Sequence, residues 1–72
     1  MQADPVNARL TAHFGRRLAD YSLKNGSDPA EIRRARAEAD FQTRRALQLA
    51  PESLEVGELR DETVRLLQVN SQ

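Results

Sequence analysis

One imidazole, a row of arginines and a run of carboxylates are the groups in this 72-residue chain that could do chemistry. His13 is the single histidine, and there is no cysteine and no tryptophan. On a helical wheel His13 shares a side with Arg17 and Lys24, cations that oppose metal binding. A general base needs an oriented partner. Asp20 projects only about 20° from His13, but it lies two turns further along. His13 therefore reads as a boundary residue, packed or solvated. Ser22, Ser27 and Ser53 stand in no predictable relation to it, and no glycine-rich phosphate loop occurs. The expectation is a protein that is not an enzyme.

Glu52, Glu55, Glu58 and Glu62 recur at helical spacing, and Asp61 adds to the charge. Metal ligands must converge on one point, which a row along an exposed helix does not do. No metal and no cofactor is expected. The row reads as a solvated face, with Glu55, Glu58 and Glu62 as a secondary charged surface for a basic partner.

The strongest candidate contact surface lies between residues 29 and 49. Residues eleven apart differ by about 20° on the wheel, so Arg33 aligns with Arg44 and Arg34 with Arg45. Phe41 projects between these rows, about 180° from Ile32 and away from the expected core. An aromatic anchor rimmed by arginine is the composition of a protein hot spot. Phe41, Arg34, Arg45, Arg33 and Arg44 are thus the expected partner-binding residues. The competing role for Phe41 is to cover a third element of the bundle. Nucleic acid is a second reading of the arginines, with Gln42 and Thr43 available for base edges. Glu38 and Asp40 interrupt that row, and the chain is neutral overall. Self-assembly is a third reading, through an alanine seam or the Phe41 face.

Three helices must position these groups. Asp4 is a good N-cap with Pro5 at the first helical position, and Asn25-Gly26 supplies a stop, giving a helix over about 5–24. Its bulky stripe, Leu10, Phe14, Leu18 and Tyr21, is expected to face the core. Gly15 falls inside this helix, where only a close neighbouring backbone would give it a purpose. The order Asp28-Pro29-Ala30-Glu31 starts a second helix, and Pro51 ends it near residue 49. Its core stripe is Ile32, Ala35, Ala39, Ala46 and Leu49, a seam of small side chains that favours close approach over buried area. A third helix over about 52–69 offers Val56, Leu59, Leu66 and Leu67, with Thr63 among them.

The stretch from Ala39 through Thr43, Ala46 and Leu49 to Pro51 resembles the second helix of a tetratricopeptide repeat, in which small residues and a closing proline recur at this spacing. The resemblance covers about a dozen residues. Thr43 stands where that repeat has a large aromatic, and the residues after Pro51 lack its Trp, Leu-Gly and Tyr pattern. One such unit does not bury its own core.

Length and composition bound the rest. A chain of 72 residues makes one small domain, here 1–72, of marginal stability. Residues 1–50 hold nine Lys/Arg against six Asp/Glu, a balance of +3, and residues 51–72 hold two against five, a balance of −3. These poles can pair within one chain or between two copies. The opening MQADPVNARL has no charged segment followed by an apolar one, and no apolar run would span a bilayer. The lack of cysteine fits the cytoplasm, and the preference for arginine over lysine fits a GC-rich bacterial or phage genome. The expected fold is all-α, a small three-helix bundle or a helical hairpin with a third packing helix. The expected function is a non-enzymatic protein-binding module: an adaptor, a small chaperone or an inhibitor of a larger assembly. A protein partner is expected first, with a homodimer possible, nucleic acid second and membrane excluded.

Overall fold

The computed structural model describes residues 4–24 and 28–69. The expected Asn25-Gly26 stop, Ser27 and the polar end at 70–72 lie outside the described residues. Within them the chain forms α1 (Pro5–Lys24), α2 (Pro29–Leu49) and α3 (Leu54–Val69), with no strand. Each helix packs against the other two, which makes an all-α three-helix bundle.

The helix starts follow from local chemistry. Asp4 Oδ1 accepts from the Asn7 N–H at 3.1 Å, and Asp28 Oδ1 accepts from the Ala30 N–H at 3.0 Å. Each aspartate thereby satisfies a donor that a helix N-terminus leaves unpaired. Ala50 leaves helical angles (φ −145°, ψ 71°) ahead of Pro51, as the proline ring requires. The third helix starts at Leu54, two residues later than the sequence predicts. Ser53 is the reason: its Oγ accepts from the Val56 N–H at 3.2 Å, and its own N–H bonds back to the Ala50 carbonyl. Pro51 and Glu52 are spent in the turn.

The core is built from small side chains. Ala8, Ala12, Ala19, Ala35, Ala39, Ala46 and Ala50 are buried, and the largest fully buried side chains are Val56, Thr43 and Thr63. The expected α2 seam is therefore present at its alanines, while Ile32 and Leu49 are half-buried. On α3, Val56, Leu59 and Thr63 are buried, and Leu66 and Leu67 are half-buried.

On α1 the expected core face is overturned. Leu10 is 63% exposed, Phe14 51% and Tyr21 44%, and Leu18 is half-buried. The buried side is Ala8, Ala12, Gly15, Ala19 and Ser22, which step along the helix by four, three, four and three residues. The reason is close packing against α2. A Cβ placed on Gly15 would lie 2.6 Å from Thr43 Cγ2 and 3.1 Å from the Ala39 carbonyl oxygen. Axes this close exclude leucine and phenylalanine from the seam. The glycine inside α1 thus has the purpose that close approach gives it.

The polar groups caught in this seam are paired. Thr43 Oγ1 donates to the Ala39 carbonyl at 2.9 Å and accepts from Arg60 Nη1 at 3.0 Å. Ser22 and Thr63 donate to the Ala19 and Leu59 carbonyls. Among the described residues no buried side-chain polar atom lacks a partner.

Candidate protein-binding surface

Close packing of α1 on α2 leaves the bulky side of α1 turned to solvent. Val6, Leu10, Phe14, Leu18 and Tyr21 follow one another at steps of four or three residues. From Val6 to Tyr21 the row is about 22 Å long at 1.5 Å per residue. The partly exposed side chains in it leave roughly 400 Å² of apolar surface, within the range of about 300–600 Å² for the largest patch on a soluble monomer, a patch that is often functional.

A shallow groove of about 430 Å³ borders this row along α2. Phe14, Leu18 and Tyr21 form one wall, and Glu31, Arg34, Ala35 and Glu38 form the other. Along the opposite edge of the row stand Arg17, Lys24 and Asp20. Lys24 pairs with Asp20 at 3.2 Å. Arg17, Arg34 and Arg45 pair with no carboxylate among the described residues, so their charge is available to a partner.

The five residues expected to bind a partner are all exposed, but they do not form one patch. Arg34 lines the groove. Phe41, 54% exposed, projects about 20° from Arg34 around α2, and Arg45 also about 20° from it on the other side. Of these three only Arg34 lines the groove, and Phe41 and Arg45 stand beside it on the outer side of α2. Arg33 stands about 100° away from Arg34, and Arg44 about 80°, both towards the α3 side of α2. Arg44 there pairs with Asp40 at 3.3 Å. Phe41 is a surface residue, more than half exposed, which speaks against its covering a third element.

The carboxylate face of α3 is likewise divided. Glu55 turns to α1, where it meets Arg9 at 3.7 Å and His13 Nε2 at 3.3 Å. Glu62 meets Arg16 at 3.8 Å. Glu58 lies with Asp61, Glu62 and Arg65 on the outer side. The basic and acidic poles of the chain thus pair within one molecule. All of these groups are substantially exposed, so each pair contributes at most a few tenths of a kcal/mol. His13 is a bridge between helices, half of whose surface is wet.

One ion pair is better protected. Arg60, with 17% of its side chain exposed, donates from Nη1 to Asp40 Oδ1 at 2.7 Å and to Thr43 Oγ1. Arg36 Nη2 donates to the Leu67 carbonyl at 2.7 Å, satisfying an acceptor in the last turn of α3. Both arginines serve the fold. Among the described residues no group of His, Cys, Asp and Glu is placed to hold a metal, and no helix is long and apolar enough to cross a membrane.

No protein-family model, curated protein or solved structure matches this chain. The likeness to the end of a tetratricopeptide unit stays local. Thr43, where that repeat has an aromatic, here fills the small space over Gly15 and accepts the Arg60 hydrogen bond.

The α1 row is the part of this surface that sequence reasoning missed. A signal existed: the four-three alternation from Ala8 to Ser22 marks a second stripe, of small residues, on the other side of the same helix. Two stripes on one helix mean two faces to cover, and this fold covers the small one.

Proposed function

We propose that this protein is a non-enzymatic protein-binding module whose contact face is the α1 row together with the α2 edge that carries Arg34, Phe41 and Arg45. The observation that carries the reading is the exposure of Val6, Leu10, Phe14 and Tyr21 on a single helix that already buries its other side. Leaving that row in water forfeits stabilisation, because a fully buried bulky apolar side chain contributes about 1.5–3 kcal/mol. An apolar strip with arginine beside it suits a helix or helix pair of another polypeptide, which inserts side chains at i, i+3 and i+4. Phe41 keeps its role as an anchor, now at the rim of a larger face and not at its centre. Adaptor, chaperone and inhibitor all use such a face. Nucleic acid fits it less well, because phosphates select basic surfaces and this one is mainly apolar.

Affinity capture from nuclease-treated lysate tests the reading, with a differently tagged copy of the chain among the prey. The wild type should retain a protein that Phe14→Glu and Arg34→Glu lose while keeping their helical circular dichroism. Retention of nucleic acid alone, with affinity falling steeply as salt rises, would transfer the function to the arginines.

A further inference from the structure

Resting on that reading, we propose that the occupant of the face is a second copy of this chain, related by a two-fold axis running parallel to α1. Area and charge together point to this partner. A stable interface buries about 800 Å² on each side. The α1 row supplies roughly half of that, so the contact must extend across the groove onto the edge of α2. That edge has the opposite charge character to the edge of α1.

On the α1 side of the row stand Arg17, Asp20 and Lys24, net positive, and on the α2 side stand Glu31, Arg34 and Glu38, net negative. They are also matched in height. Gly15 lies against Ala39 and Thr43, and α1 and α2 run antiparallel through a short connection, so Arg17 is level with Glu38 and Lys24 with Glu31. An axis parallel to the helices sets the α1 edge of one copy against the α2 edge of the other without changing height. Arg17 then faces Glu38 of the second copy, and Lys24 faces its Glu31. An axis perpendicular to the helices would instead set the α1 edge against itself with height reversed, net positive against net positive. Like charges disfavour that arrangement. A two-fold contact must be self-complementary, and the parallel axis sets the net positive edge of each copy on the net negative edge of the other.

The chain has no cysteine, so single cysteines report the geometry cleanly. Under a parallel axis the residues of the row that lie beside the axis meet their own counterparts at every height, while those on its edges do not. Leu10→Cys and Tyr21→Cys, near opposite ends of the row, should both oxidise to disulfide-linked dimers in high yield. Asp61→Cys, on the outer side of α3, should not. Sedimentation equilibrium of the cysteine-free wild type should show a monomer–dimer equilibrium that Arg17→Glu weakens at least tenfold and Arg17→Glu with Glu38→Arg restores. Linkage at only one of the two positions, or no rescue by the reversed pair, overturns the parallel dimer. A wild type that is monomeric at every concentration also overturns it. Capture of a different protein that Phe14→Glu loses would then leave the binding function standing, and capture of none would remove both.

Discussion

Gly15 and Gly57 are both helical glycines, and alanine should act on them in opposite directions. Nothing lies within 4 Å of a Cβ built on Gly57. Its replacement restricts the unfolded chain and improves helix propensity, so Gly57→Ala should stabilise by about 0.5–1 kcal/mol. At Gly15 the new methyl meets the Thr43 methyl at 2.6 Å and a backbone oxygen behind it. Thr43 has little room to turn away, because its hydroxyl is held by the Ala39 carbonyl and Arg60. Gly15→Ala should therefore destabilise by about 1–3 kcal/mol through overpacking. Adding Thr43→Ser, which removes the clashing methyl, should recover part of the loss. Urea denaturation reads both signs, and a stabilised Gly15→Ala would refute the close-packed seam. The same residue-level contrast applies to ion pairs. Arg60→Ala strips Asp40 and Thr43 of a shielded donor and should cost about 1–2 kcal/mol. Arg9→Ala, at an exposed pair, should change stability by less than about 0.5 kcal/mol.

At the scale of the element, what the sequence discloses depends on how local the cause is. The starts of α1 and α2 are legible in Asp4-Pro5 and Asp28-Pro29, because a cap bonds only to its own first turn. Ser53 escapes notice beside Pro51, and the start of α3 is misplaced accordingly. Which side of α1 is buried is not local. Bulk alone selects Leu10, Phe14 and Tyr21, but the alanine seam of α2 admits only a partner face as small as itself. His13 with Glu55 and Arg36 with the Leu67 carbonyl join residues 42 and 31 positions apart, and no pattern along the chain announces such pairs. The seam also ranks the helices by persistence. Amides of Ala12–Ala19 and Ala39–Thr43 sit where α1 and α2 press together, whereas the last turn of α3 presents half-buried Leu66 and Leu67. Hydrogen exchange should be slowest in the first two segments and fastest at the end of α3. Protection greatest in α3 would mean that the hairpin is not the stable unit.

For the molecule as a whole, the thin core and the uncovered row are one problem seen from two sides. A buried methyl contributes about 0.8 kcal/mol, against about 1.5–3 kcal/mol for a leucine or phenylalanine. This fold fills its seam with alanine and leaves Leu10 and Phe14 more than half exposed. What the monomer forgoes, the proposed association would restore, so folding and binding should be linked. Since a ligand that binds only the folded state stabilises it by mass action, a second copy makes the melting temperature depend on concentration. Dilution by ten shifts the dimer equilibrium by about 1.4 kcal/mol. Spread over two chains with unfolding entropies of about 2.1 cal/mol/K per residue, this lowers the melting temperature by about 5 °C. Phe14→Glu should abolish the dependence and melt near the diluted wild type's limit at every concentration. A wild-type melting temperature unmoved over a hundredfold range would show that the alanine core suffices alone, and that no second copy covers the row.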